Sequence, residues 1–138
     1  MRQPVNYRPE ALESDVMRAV CDLLNAERIW WMRMNTGAFP LEYETSSGAR
    51  RHRFFRVGRP GTADILCTPC LNSPLPSIVW IECKAFRGKQ SDAQKRFEQE
   101  VVSHGHFYLL ARGSDDVIDF LRAHNATTSV FPFPATNV

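Results

Sequence analysis

The segment Gly61-Thr62-Ala63-Asp64-Ile65-Leu66-Cys67 is followed, after a proline-rich loop, by Ile78-Val79-Trp80-Ile81-Glu82-Cys83-Lys84. Both segments are short, rich in Ile, Val, Leu and Trp, and bounded by Gly and Pro, which predicts two strands. Charged residues are rarely buried unless they are paired, so Asp64, Glu82 and Lys84 need an explanation here. Side chains alternate between the faces of a strand, which places Glu82 and Lys84 on one face and Cys83 on the other. If the strands pair as a hairpin, Asp64 reaches the same edge.

Two carboxylates and one ammonium group at one place have two interpretations, and these residues alone leave both open. Clustered oxygen donors suit a hard cation such as Mg²⁺, which polarises a phosphoryl oxygen and lowers the pKa of a bound water. An adjacent lysine can then position the attacking water and balance charge in the transition state. The alternative is a structural ion pair between Lys84 and one of the acids, because such pairs also cluster.

The spacing of Asp64 and Glu82-Cys83-Lys84 resembles the Asp…Glu-x-Lys signature of the restriction-endonuclease-like PD-(D/E)xK nucleases. The Gly-Thr-Ala-Asp and Glu-Cys-Lys-Ala segments, together with Gln94, resemble the virus-type replication-repair nuclease (VRR-NUC) branch, over about residues 13–121. The bare signature is short and occurs by chance. The ordered set of a helical Glu, Asn-Thr-Gly, Gly-Thr-Ala-Asp, Glu-Cys-Lys and Gln is much more specific. One departure is that Ala63, rather than Pro, precedes Asp64, which this branch tolerates.

The resemblance implies an α/β fold with a restriction-endonuclease-like core, in which helices flank a central mixed β-sheet. It implies that Glu13, Asp64 and Glu82 hold Mg²⁺ or Mn²⁺, with the backbone carbonyl of Cys83 as a further ligand. Lys84 would orient the attacking water.

Gln94 would support that site, although Ser91 and Gln94 also have the spacing of a capping box. Glu13 has a second interpretation as well, because an acid near a helix N-terminus is stabilising in itself. Glu10 is the alternative helical acid if the register is displaced.

The remaining elements follow from hydrophobic periodicity. Helices are predicted at residues 9–26, 91–104 and from a Ser114 cap onward, and strands at residues 28–35 and 107–111. In the first strand, Trp30, Met32 and Met34 form the predicted core face. Arg33 and Asn35 lie on the other face and are candidates to line the cleft and contact phosphate or substrate. An ordinary half-exposed strand is the alternative.

Residues 41–45 and 51–57 flank a small polar turn and predict a β-hairpin. Five arginines occur between residues 50 and 59 without any acid, and they would suit a phosphate backbone: Arg50, Arg51, Arg53, Arg56 and Arg59. A charge run is often only a solvated face, but a cluster of a single sign produces a local field that favours binding. Arg87 and Lys89 belong to a second basic patch near the predicted metal site.

The composition indicates an ordinary soluble domain. The 138 residues are 43% hydrophobic with a formal net charge of only +2, and no apolar run approaches the length of a membrane span. The N-terminus lacks the apolar core of a signal peptide, so an intracellular, cytoplasmic protein is expected (in the host cell if phage-encoded). We expect one nuclease domain over residues 1–125 and an extended tail over 126–138.

The combined expectation is a Mg²⁺- or Mn²⁺-dependent DNA endonuclease that is selective for branched or Holliday-junction-like DNA. Junction DNA presents two symmetric strands, so a homodimer is expected, and the family suggests phage replication or DNA repair. Two other classes stay open. One is a non-catalytic nucleic-acid-binding module that uses the arginine hairpin, and the other is a small zinc or redox protein that uses Cys67 and Cys70.

Overall fold

The computed structural model describes residues 11–34, 37–70 and 78–124, apart from the side chains of Ala38 and Arg56. Within these ranges the chain is an α/β protein with a mixed four-stranded sheet flanked by helices, as the sequence predicts. The elements in chain order are α1 (Glu13–Ala26), β1 (Trp31–Arg33), β2 (Gly37–Glu44), β3 (Arg50–Val57), β4 (Ile65–Cys67), β5 (Val79–Cys83), α2 (Asp92–Ser103), β6 (Phe107–Ala111) and α3 (Ser114–Ala123).

The four-stranded sheet has the strand order β1-β4-β5-β6. β4 pairs antiparallel with β1 and with β5, and β6 joins β5 in parallel. The parallel pair is connected through α2, the crossover that such a pair requires. β2 and β3 pair antiparallel with each other in a separate two-stranded sheet.

The core lies on both faces of the four-stranded sheet. On one face, Val16, Val20 and Leu24 of α1 and Val117 of α3 pack with the inward side chains of β4, β5 and β6. On the other face, Phe97 and Val101 of α2 pack with Ala63, Trp80 and Tyr108. Alternation along β5 therefore sends Val79, Ile81 and Cys83 toward α1, and Trp80 and Glu82 toward α2.

The prediction for the faces of β1 is wrong. Trp31 packs against the core, and its indole Nε1 donates to Asn25 Oδ1 of α1 over 2.9 Å. Trp30 and Met32, the predicted core residues, are exposed. The physical reason is that β1 is an edge strand, and α2 packs over β5 and β6 instead of reaching this edge.

Two helix starts also differ from the prediction. The helix predicted over residues 9–26 begins at Glu13; the exposed Leu12 is its N-cap, and the Leu12 backbone N–H donates to Asp15 Oδ2. Ser114 is the first residue of α3, and Gly113 is the cap. The Asp116 carboxylate in the first turn accepts from the backbone N–H of Arg112, just before this cap, over 2.7 Å.

None of the helices within the described ranges is long and apolar enough to cross a membrane. The predicted tail, residues 126–138, lies outside the described residues.

Candidate active site at the carboxyl end of β5

The site is built around Glu82, near the carboxyl end of β5. Its side chain is buried, with 2% of its surface exposed, and it points toward α2. One carboxylate oxygen, Oε1, lies 3.2 Å from the Lys84 ammonium nitrogen and accepts a hydrogen bond from Gln94 Nε2. The other oxygen, Oε2, is buried and has no hydrogen-bond partner among the described residues. A half-satisfied buried carboxylate is costly and calls for an explanation beyond packing.

The electrostatics of Glu82 follow from this burial. The pKa of its carboxyl group is raised from 4.5 to about 7, first by desolvation and second by the negative charge of Asp64. The Lys84 ammonium opposes this rise by attraction and by its hydrogen bond, but it does not overcome it. Near neutral pH, Glu82 is therefore poised between its two protonation states.

Asp64 is fixed beside Glu82 by the backbone. Its Oδ2 accepts from the Cys83 N–H over 2.8 Å, and its carbonyl oxygen accepts from the Met34 N–H over 2.7 Å. The antiparallel register pairs Ile65 with Ile81, and its continuation by one residue sets Asp64 opposite Glu82. The structure therefore brings Asp64, Glu82 and Lys84 together, as strand alternation predicts.

Gln94 makes the capping contacts that the sequence predicts and also contacts Glu82. The side-chain oxygen of Gln94 accepts from the backbone N–H of Ser91, and the backbone N–H of Gln94 donates to the Ser91 hydroxyl. These two hydrogen bonds form a capping box at the start of α2. The amide nitrogen of the same side chain donates to Glu82. A helix cap and a contact to the buried carboxylate thus share one residue.

The loop before Asp64 approaches α2 closely at Gly61. This residue has φ +83°, which favours glycine. A Cβ atom there would lie 2.3 Å from the Ala93 carbonyl oxygen and 2.8 Å from the Gln94 nitrogen. Only glycine permits this approach, so the Gly-Thr-Ala-Asp segment and the start of α2 form one packed unit.

Arg112 is a neighbour of the site that the sequence analysis missed. Its Nη1 donates to the carbonyl oxygens of Ala85, Phe86 and Gly88, in the loop that follows Lys84. Its position in the sequence could have indicated this contact. Because β5 and β6 are parallel, Lys84 and Arg112 follow the same end of two adjacent strands. Recognising it required that pairing, which the sequence analysis did not assign.

Glu13 is the exposed first residue of α1. Its charge raises the pKa of Glu82 and of Cys83, as the smallest of several causes, so it lies within electrostatic range of the site. Its role as a ligand stays a prediction, and Glu10 lies outside the described residues. The Cys83 thiol is buried on the α1 face, with its pKa raised to about 12 by burial first, so only the Cys83 backbone can serve the site.

Arg33 does not join Glu82 and Lys84, because alternation puts it on the α1 face with Trp31. There it lies close enough to Cys21 to oppose the rise in thiol pKa that burial causes. Asn35 lies outside the described residues. Among the other basic candidates, Arg50, Arg51 and Arg53 are exposed on β3, and Arg87 and Lys89 are exposed after β5.

Arg59 makes a contact that the sequence did not indicate. Its guanidinium pairs with both carboxylate oxygens of Glu100 on α2. The side chain of Arg56 is outside the described residues. The Cys67 thiol packs in the core, where burial raises its pKa to about 12, which disfavours the thiolate that a zinc or redox site needs.

In the described part of the chain, no group of three or more His, Cys, Asp or Glu side chains is arranged to hold a metal ion. Comparisons of the chain with protein-family models, with curated proteins and with solved structures found no match. The interpretation of the site therefore rests on its own geometry and charges.

Proposed function

We propose that this chain is a metal-dependent nuclease with a restriction-endonuclease-like core, which hydrolyses phosphodiester bonds in DNA. One observation carries the proposal: the buried Glu82 carboxylate lies beside Asp64 and Lys84 and has one oxygen without a hydrogen-bond partner in the described part of the chain. An ion pair with Lys84 alone would leave both Oε2 and the nearby Asp64 charge unexplained. A divalent cation would account for both.

The residues present fit such a cation. Mg²⁺ and Mn²⁺ prefer oxygen ligands and keep several waters, so two carboxylates from the protein are sufficient for a site of this kind. Asp64 and Glu82 supply them, and Glu13 at the start of α1 is the candidate for a third. When bound, the cation would polarise a phosphoryl oxygen and lower the pKa of a coordinated water.

The protein's own side chains would divide the remaining work. Lys84 carries three N–H donors, of which one is directed to Glu82 Oε1. The others can donate to an attacking water or to a non-bridging phosphate oxygen, which stabilises the charge that develops there. Gln94 fixes the Glu82 carboxylate, and the Cys83 N–H fixes Asp64, so both acids are preorganised.

DNA is the proposed substrate because β3 carries exposed arginines and the loop after β5 carries exposed basic residues. Guanidinium groups suit phosphate contacts, which supply most of the affinity for a nucleic-acid backbone. Preference for branched or junction DNA and action as a homodimer belong to the same proposal.

The test is cleavage of labelled duplex, single-stranded, flap and four-way-junction DNA in Mg²⁺, Mn²⁺ or EDTA. We expect cleavage that disappears in EDTA and falls by about 100-fold or more in Lys84→Ala, the size of the loss when one electrostatic donor is removed from an active site. Lys95→Ala, which removes an exposed lysine of α2, is the matched control and should cleave like the wild type.

Binding to DNA without cutting under every metal condition would contradict the proposal. The basic surface would then be the function, and the acids would be structural. Equal loss in Lys84→Ala and Lys95→Ala would also contradict it, because a general loss of positive charge would then explain the effect.

A further inference from the structure

The hairpin of β2 and β3 exposes an unusual amount of apolar surface. The large apolar side chains that are 40% or more exposed there are Phe39, Leu41, Tyr43, Phe54, Phe55 and Val57. An isolated two-stranded hairpin is marginally stable in water. Contiguous exposed apolar side chains on such an element usually mark a binding surface.

The register of the hairpin sorts these side chains onto two faces. β2 and β3 pair without interruption from Gly37 opposite Val57 to Glu44 opposite Arg50. Because side chains alternate along each strand, one face carries Phe39, Leu41, Tyr43, Arg51, Arg53, Phe55 and Val57. We call this the aromatic face. Across the strands it pairs Phe39 with Phe55, Leu41 with Arg53 and Tyr43 with Arg51.

Charge is sorted in the same way. Both acids of the hairpin, Glu42 and Glu44, lie on the face opposite the aromatic face. On that face Glu42 Oε1 lies 3.6 Å from His52 Nδ1. The charged residues that alternation assigns to the aromatic face are Arg51 and Arg53, both exposed. Its complement is therefore an anion that also offers flat apolar surface.

We propose that the aromatic face binds unpaired nucleotides, whose bases stack on Phe39, Tyr43 and Phe55 and whose phosphates contact Arg51 and Arg53. Aromatic side chains combined with positive charge are the usual means of binding single-stranded nucleic acid. In a duplex the base faces are already stacked, so only unpaired nucleotides can use this surface. The inference rests on the proposed function for the choice of a nucleic acid, and it makes the substrate class DNA with a single-stranded region.

The dimensions agree with this occupant. Phe39 and Tyr43 are four residues apart on β2, about 13 Å at roughly 3.3 Å per residue. This length accommodates several nucleotides at about 3.4 Å per stacked base. A second copy of this chain is a poorer occupant, because two aromatic faces in contact would bring the Arg51 and Arg53 charges of both copies together.

The test measures binding in EDTA, where cleavage does not interfere. The probe is a single-stranded oligonucleotide containing 2-aminopurine, whose fluorescence falls when it stacks. Phe55→Leu keeps an apolar side chain in the cross-strand pair but removes the aromatic ring. Phe54→Leu is the matched control, because Phe54 is adjacent, more exposed and on the opposite face. Phe55→Trp tests for rescue.

We expect Phe55→Leu to weaken single-strand binding by about 5-fold or more, since stacking contributes roughly 1–3 kcal/mol per base, and to reduce the quenching. Phe54→Leu should stay within about twofold of the wild type by the same scale, and Phe55→Trp should restore both affinity and quenching. Affinity for blunt duplex should be unchanged in all three variants. If single-strand affinity is lost in Phe55→Leu and recovered in Phe55→Trp, the loss is caused by the missing aromatic ring and not by unfolding of the hairpin.

Equal effects of Phe54→Leu and Phe55→Leu would overturn the inference, as would wild-type binding without quenching. A Phe55→Leu protein that changes from dimer to monomer in sedimentation, with unchanged affinity for single strands, would identify a second copy as the occupant and would also overturn it. Metal-dependent cleavage of the four labelled DNA substrates by the wild type, measured separately, reports on the proposed nuclease. The two proposals can therefore fail independently.

Discussion

The protonation of Glu82 should control metal binding near neutral pH. Burial first, and the charge of Asp64 second, raise the pKa of this carboxyl group to about 7 in the metal-free protein. A cation bound by Glu82 must displace the proton. We therefore expect the affinity for Mn²⁺ to be constant above pH 8 and to fall as the pH drops through 7.

The magnitude follows from one titrating group. With a pKa of about 7, the apparent dissociation constant rises by the factor 1 + 10^(7 − pH), which is about 30 at pH 5.5 and close to one at pH 8.5. This loss corresponds to about 2 kcal/mol of binding free energy. At saturating metal it amounts to roughly 6 °C less thermal stabilisation by Mn²⁺ at pH 5.5 for a domain of this size.

The metal-free protein should show the opposite trend. Because the folded pKa lies above the usual value of 4.5, the folded state holds the proton more tightly than the unfolded chain between these two pH values. The contribution of Glu82 to stability is fully present below about pH 4.5 and is lost as the pH rises through 7. The loss is at most about 3 kcal/mol.

Calorimetry at pH 5.5, 7.0 and 8.5, in buffers of different ionisation enthalpy, measures both affinity and the number of protons released. We expect close to one proton released at pH 5.5, about half at pH 7 and almost none at pH 8.5. Glu82→Gln should remove both binding and proton release. Glu98→Gln, which changes a half-buried acid of α2, should behave like the wild type.

Affinity that is constant down to pH 5.5 would refute the reasoning about burial, because Glu82 would then titrate as an ordinary carboxyl group. Binding of equal strength in Glu82→Gln would refute its assignment as a ligand. Proton release that persists in Glu82→Gln would place the titration on another group.

Two further predictions concern α2. Gly61→Ala should lower the unfolding temperature more than Gly105→Ala. Both glycines have φ above +80°, but of the two only Gly61 would bring a Cβ atom into a clash, with the Ala93 carbonyl. Differential scanning calorimetry compares the two variants, and equal decreases in unfolding temperature would show that the close approach does not contribute to stability. Gln94→Glu keeps a cap acceptor but sets a second carboxylate against Glu82, so the pH midpoint for Mn²⁺ binding should move above that of the wild type. An unchanged midpoint in the same calorimetric titration would contradict this.

The central part of the site could be predicted from the sequence because it depends on local geometry. Alternation along β5 separates Glu82 and Lys84 from Cys83, and this holds whatever the strand packs against. The antiparallel pairing that brings Asp64 alongside was expected from two short strands joined by a loop. The spacing of Ser91 and Gln94 likewise predicted the capping box, because a cap involves only residues three positions apart.

What the sequence could not provide depends on contacts between distant segments. The faces of β1 were assigned wrongly because periodicity shows that two faces exist, but not which face a helix covers. Arg112 was missed because its relation to the loop after Lys84 follows from the parallel pairing of β5 and β6. The Arg59–Glu100 pair joins residues 41 positions apart, and no local pattern indicates it.

The same long-range contacts connect the hairpin with the site. β3 ends at Val57, and the chain then meets α2 twice before it reaches Asp64: once through the Arg59–Glu100 ion pair and once through the approach of Gly61 to Ala93. α2 also carries Gln94, which holds Glu82. The segment between the hairpin and the first acid is therefore anchored to the helix that positions the second acid. If a nucleic acid binds the aromatic face as proposed, this anchored segment links it to both carboxylates. Such a link would help to position the phosphate for selective cutting beside a single-stranded region, because small displacements of the reacting group strongly reduce the rate.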